Sequence, residues 1–305
     1  MTLQQRKKII LAILEKMGGR LSAIQMQKYL FLYTKLGGEK IYDFVPYRYG
    51  CFSFQANKDI LSLSNDQLVS VGKDNGKDVS YQLNYKTNAL ESLDLFTQDT
   101  IGRLHRDFGS MSQRELIIYT YKHWPFTAIN SVIKEELLDK NNLQKVLIQK
   151  NRFLHTDSTL FTIGYEGFSL EIFLRQLITN DVKVLCDVRK NAISRKYGFS
   201  KSTLEKACQG VSIRYVHIPE LGIASSFRQT LKCQEDYDRL FDLYEGTTLK
   251  EGDRYLQIIR GLLSSDKRVC LMCFEKDPRQ CHRTRIAKAL MSLANNNWEY
   301  REILL

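Results

Sequence analysis

From about residue 156 onward, short apolar runs alternate with amphipathic helical patterns, and this alternation restricts the fold more than any other feature of the chain. "LFTIG" reads as a short buried strand ending at Gly164. Ser169 then caps a helix with Leu170, Phe173, Leu174 and Leu177 on one face. "VKVLCDVR" is a second strand, "SKSTLEKACQG" a helix closed by Gly210, and "IRYVHIP" a third strand. Helical spacing returns through Tyr237, Leu240, Phe241 and Tyr244, then Tyr255, Ile259 and Leu262. "VCLMCF" is a fourth strand, "CHRTRIAKALMSLA" a helix, and "YREILL" adds a final strand. Strands separated by helices predict parallel pairing with right-handed crossovers.

In open parallel sheets, ligands collect outside the carboxyl ends of the strands. The first strand delivers Tyr165 and Glu166 there, and the second delivers Asp187 and Arg189, with Arg195 shortly after. The third leads into Glu220 and the fourth into Glu275, and the next helix opens with Cys281, His282 and Arg283. Two readings follow: a charged ligand-binding edge, or an ion-pair network that only ties the loops together.

The segment "LMCFEKDPRQCHRTRIAKAL" admits three chemistries. A zinc site is disfavoured by spacing: seven residues part Cys273 from Cys281, and adjacent residues at a helix start point about 100° apart, which separates Cys281 from His282. No metal and no cofactor is therefore assigned. "CFEKDPR" satisfies the Cys-x5-Arg spacing of a phosphatase loop, but Glu275 and Asp277 bring negative charge to it and Pro278 lacks a donor. The third chemistry is an anion clamp with acid–base capability. Arg283 and the helix start would hold a phosphate opposite Arg189, while Glu166, Asp187, Glu275 and His282 supply proton transfer. Cys281 is either a nucleophile with a lowered pKa or a small buried thiol, and His217 reads as a satisfied core histidine.

"TIGYEGFSLEIFLRQL", "VLCDVRKNAISRKYGFSKSTLEKA", "IRYVHIPELG" and "VCLMCFEKDPRQCHRTRIAKAL" together resemble the family known as domain of unknown function 488. The resemblance covers nearly all of residues 160–295 and implies a Rossmann-like three-layer domain. It leaves the reaction unspecified. Tyr165 stands where many members have His, so a mechanism that needs a histidine in the first loop does not transfer.

The first half has another organisation. Ile9, Ile10, Ile13, Leu14 and Met17 recur at helical spacing before Gly18-Gly19, and Ser22 is placed to cap a second helix that ends before Gly37-Gly38. "FVPYRYGCFSFQANKDILSL" turns near Gly50 into a short helix. "LVSV" and "VSYQL" alternate as strands about Asn75-Gly76, a hairpin signal flanked by Lys73 and Lys77. This order predicts a winged helix-turn-helix with the two lysines as nucleic-acid contacts. "PYRYGCFS" and "MSQRELIIYTYKHWPFTAINS" are similar to winged-helix families found beside toxin–antitoxin and phage-defence genes. The expected domains are therefore 1–155, winged-helix-like (α+β) with a helical tail and linker, and 156–305, α/β.

A net charge of +11 over 305 residues favours an anionic partner, and nucleic acid, DNA before RNA, is the first choice. Seven cysteines and the leaderless start "MTLQQRKKII" fit a cytoplasmic protein, and no apolar run approaches the roughly 20 residues of a membrane span. The expected function is a nucleic-acid-associated enzyme of hydrolase, glycosylase or lyase type acting on a phosphate, sugar or modified base. The alternative is a non-catalytic, nucleotide-sensing DNA-binding regulator.

Overall fold

The computed structural model describes residues 2–304 apart from 75–77, 229–230 and 294–296. The chain forms two compact units, Met1–Arg152 and Phe153–Leu305.

The first unit runs α1 (Leu3–Lys16), β1 (Arg20–Ser22), α2 (Ala23–Lys35), β2 (Val45–Tyr47), β3 (Gly50–Phe52), α3 (Phe54–Asn65), β4 (Val69–Asp74) and β5 (Asp78–Leu83). It continues with α4 (Leu95–Phe108), α5 (Gln113–His123), α6 (Lys134–Leu137) and α7 (Lys140–Asn151). Ser22 caps α2 as its sequence predicts: its hydroxyl accepts from the Gln25 amide while the Gln25 side chain accepts from the Ser22 amide. β4 and β5 pair antiparallel from Val69↔Leu83 to Asp74↔Asp78, and β1 adds to the other edge of β5. The expected Asn75-Gly76 turn and Lys77 lie outside the described residues. Ile10, Ile13, Leu14, Met26, Tyr29, Leu30, Tyr33, Ile60 and Leu63 form a shared core with Val69 and Tyr81 of the sheet.

The second unit runs β6 (Thr159–Gly164), α8 (Leu170–Thr179), β7 (Val184–Asp187), α9 (Lys201–Gln209), β8 (Arg214–His217), α10 (Gln234–Tyr244), α11 (Asp253–Asp266), β9 (Arg268–Cys273), α12 (His282–Ser292) and β10 (Glu299–Ile303). Its five strands are all parallel, in the order β10-β6-β9-β7-β8. β6, β7 and β9 are buried at every position, as parallel strands covered on both faces require. Leu160, Val184, Cys186, Val269 and Leu271 share one cluster with Ile259 and Leu263 of α11 and Ile286 and Leu290 of α12. By alternation the intervening Phe161, Leu185 and Cys270, all fully buried, face the other side of the sheet.

The strand order refines the Rossmann-like expectation. Counted within the unit the order is 3-2-4-1-5, so the fourth strand, β9, is inserted between the first and second. The dinucleotide-binding order 3-2-1-4-5 is not adopted. From β6 and β7 the chain moves toward β8, whereas from β9 it moves the opposite way to β10. The neighbouring strands β9 and β7 therefore lead away in opposite directions, which makes the carboxyl end of β9 beside β7 the point where a crevice is expected.

Candidate functional site

Two polar clusters meet beside the end of β9. The first is built on Asp187, the last residue of β7, whose carboxylate is fully buried. Arg189 donates to it from Nε to Oδ1 at 2.8 Å and from Nη2 to Oδ2 at 2.5 Å, and Tyr215 on β8 donates its hydroxyl to Oδ2 at 2.6 Å. Burial, then the adjacent Asp187 charge, pushes the Tyr215 phenol well above its ordinary range, so it remains a donor. The Arg189 Nη1 donates to the Tyr165 hydroxyl at 3.0 Å, which donates in turn to Ser194 Oγ at 3.2 Å. The Tyr165 ring stacks on Phe199 with centroids 4.3 Å apart. His217 is half-buried rather than a core residue, with Nε2 2.9 Å from the Arg189 carbonyl oxygen.

The second cluster joins Cys273, the last residue of β9, to Cys281 and His282 at the start of α12. Their sulfur and ring-nitrogen atoms all lie within 4.8 Å of one another, and all three residues are buried. Cys273 Sγ is 3.7 Å from His282 Nδ1 and donates to Glu275 Oε2 at 3.2 Å. His282 Nε2 lies 2.9 Å from the Val188 carbonyl oxygen, which joins the two clusters.

This geometry corrects the spacing argument against a shared ion. The 100° separation presumes helical backbone, but Cys281 is the N-cap residue and is extended, with φ −133° and ψ 132°. Its side chain is thereby free of the helical rotation and converges with that of His282. The reactive-thiolate reading of Cys281 expects a lowered thiol pKa, and the surroundings of the side chain push the other way. Burial, reinforced by the neighbouring Cys273, pushes its thiol up to about 12, against the lowering expected of a helix start. Cys281 is fully buried, as the small-thiol alternative expects.

The anion-clamp reading is corrected at both arginines. Arg283 is 1% exposed, and its Nη1 and Nη2 donate to the carbonyl oxygens of Glu275 at 2.5 Å and Lys276 at 3.3 Å. It braces the loop between β9 and α12 instead of presenting itself to solvent. Arg189 is 6% exposed and committed to Asp187 and Tyr165.

Glu166 remains accessible. It is exposed, and its Oε2 accepts from the Lys276 amide at 2.9 Å, while its own amide donates to the Phe274 carbonyl at 2.9 Å. Glu275 is half-buried, and Arg195 and Glu220 are exposed. Lys73 is exposed on β4 in the other unit. Beside α12, an open cavity of about 420 Å³ is lined by Asp238, Arg279, Arg285, Lys288 and Glu302 among others.

The set of residues chosen from sequence omitted Cys273, Tyr215 and Lys196, whose Nζ donates to the Tyr165 carbonyl at 3.1 Å. Tyr215 had a readable signal, since β8 follows β7 in parallel and pairs Leu185↔Tyr215 two residues before Asp187↔His217, on the same side of the sheet. Gly164 was also passed over: a Cβ there would sit 1.8 Å from the Glu275 carbonyl oxygen, so only glycine admits the β9–α12 loop against β6.

No curated protein matches the chain. Residues 169–290, which hold β7, β8, β9 and the Cys281-His282-Arg283 helix start but not Tyr165 or Glu166, match the family model described as Domain of unknown function DUF488.

Proposed function

We propose that this chain is a nucleic-acid-associated enzyme. Its Rossmann-like second unit acts on a phosphate, sugar or modified base of DNA, by hydrolase, glycosylase or lyase chemistry. The first unit, read as a winged helix-turn-helix with the β4–β5 hairpin as its wing, binds the polymer, DNA in preference to RNA. A role in phage defence in the cytoplasm belongs to the same reading. The observation that carries it is the placement of two carboxylates, exposed Glu166 and half-buried Glu275, at the divergence point beside β9. They are backed there by the Asp187–Arg189–Tyr165 network. In this reading Glu166 is the proton-transfer group that reaches solvent. Asp187 and Arg189 position Tyr165, and Arg195 supplies an accessible cation for a phosphate. The net charge of +11 supports the choice of polymer.

The experiment is a salt titration of DNA and RNA binding by the full chain, with product analysis on the bound polymer, repeated for Glu166→Gln and Glu275→Gln. Binding with a steep salt slope, and turnover lost in Glu166→Gln while binding persists, is the expected result. Absence of binding at physiological salt overturns the reading.

The burial of Asp187, Arg189, His282 and Arg283, each committed to a partner within the protein, favours a second reading, a nucleotide sensor without turnover that biases DNA binding. Thermal stabilisation by nucleotides, with no product from any polymer, distinguishes it.

A further inference from the structure

We propose that Cys273, Cys281 and His282 bind a zinc ion. The assignment does not depend on what the second unit acts on.

Two thiols and an imidazole form a donor set that favours zinc and other soft or borderline ions over magnesium or calcium. Ligands of a tetrahedral zinc at the usual bond lengths lie about 3.3–3.8 Å apart. Cys273 Sγ and His282 Nδ1 are separated by 3.7 Å, and the whole set fits within 4.8 Å. The remaining imidazole nitrogen already has the partner that zinc-bound histidines use: Nε2 donates to the Val188 carbonyl at 2.9 Å. With the proton on Nε2, the Nδ1 lone pair is left toward the two sulfurs.

The ligands are held in place before any ion arrives. Cys273 ends a strand buried at every position, and its carbonyl accepts from the Tyr165 amide at 3.1 Å. Arg283 fixes the following loop through the Glu275 and Lys276 carbonyls, and Gly164 lets that loop lie directly on β6. His282 is the first residue of α12 and Cys281 its N-cap, and the helix packs on the same sheet face. Three protein ligands is the number found in zinc sites that keep a position open for water or substrate. The carboxylate of Glu275, 3.2 Å from Cys273 Sγ, supplies an oxygen donor at the border of the cluster. Binding one Zn²⁺ releases the two thiol protons to solvent, so the two thiolates balance the ion's charge.

The test uses the full chain purified under reducing conditions without chelator. Elemental analysis is expected to return close to one zinc per chain. Cobalt substitution of the metal-stripped protein is expected to give thiolate-to-cobalt charge-transfer absorption and the intense visible bands of a tetrahedral site. Cys273→Ser, Cys281→Ser and His282→Gln each weaken zinc by more than the roughly 10–100-fold typical of losing an outer partner. Cys270→Ala, a change to a buried cysteine on the opposite face of β9, leaves affinity unchanged. If the ligand variants fail to fold, the natural chain still decides the matter. A metal-stripped chain that stays folded by circular dichroism, yet takes up neither zinc nor cobalt at micromolar free metal, overturns the proposal. Cobalt bound without charge-transfer absorption overturns it as well, as does a Cys273–Cys281 disulfide in the reduced preparation.

Discussion

Arg189 closes a bidentate ion pair on Asp187 only two residues earlier in the chain, with Nε–Oδ1 at 2.8 Å and Nη2–Oδ2 at 2.5 Å, around a fully buried carboxylate. A third donor, the Tyr215 hydroxyl, completes the shell at 2.6 Å. Such a pair gives little net stability over an apolar pair of similar volume, but removing one member strands the other in a medium that cannot solvate it.

Arg189→Leu is therefore expected to destabilise the protein by about 3–5 kcal/mol in urea unfolding. Arg189→Lys should recover only part of this loss, because an ammonium cannot reproduce the planar fork that meets Oδ1, Oδ2 and Tyr165 together. Full recovery by lysine would show that charge alone, and not the fork, holds the network.

Glycine substitutions separate the β9–α12 loop from the rest of the fold. Gly164→Ala drives a methyl into the Glu275 carbonyl, and a cost of about 1–3 kcal/mol is expected. Gly102→Ala, inside α4 with no atom within 4 Å of the new Cβ, should instead stabilise by about 0.5–1 kcal/mol. Paired thermal melts of the two variants check both signs.

Asp157 predicts a pH dependence. The Thr159 hydroxyl first, and Arg268 after it, hold its carboxyl at about 2 when folded. An unfolded aspartate titrates near 3.9, so the unfolded state binds the proton more readily in the interval between. The contribution to stability is fully present above about pH 4 and is lost as pH falls through about 2. Asp157→Asn should flatten this acid limb of urea-midpoint measurements and leave the neutral region's slope unchanged.

If β4–β5 is the wing that meets nucleic acid, exposed Lys73 neutralises a phosphate. Lys73→Ala then lowers the slope of log K against log salt by about 1 and weakens all sequences alike. An unchanged slope would move the contact away from this hairpin.

The elements of the fold were readable because each carries its own local cause. Ser22 and Ser169 stand where helix caps must, and the central strands β6, β7 and β9 are buried at every position because both faces are covered. The order of strands was not readable, since nothing in the residues of β6 announces that its neighbours are β9 and β10. At the candidate site, sequence placed the charges at the carboxyl edge of the sheet, where the structure has them, but did not anticipate that Asp187 and Arg189 bind each other. Asp187 and Arg189, two apart on extended backbone, point to one side, and that spacing was a signal for pairing with each other rather than with a ligand. Cys281 was misread because a helix rule was applied to a residue that has not yet entered the helix.

The position of β6 also governs how the second unit comes into being. It is the unit's first strand, yet both of its sheet partners, β9 and β10, follow much later in the chain. Thr159 and Arg268, which pair across β6 and β9, are 109 residues apart. During synthesis, "TLFTIG" emerges as an apolar strand with two unpaired edges and stays so until more than a hundred further residues have been made. β7 and β8 can pair early, but the centre of the sheet closes late, at the loop-closure cost that slows topologies of high contact order. In a cell, this interval is when the chain is most exposed to chaperones and to copies of itself.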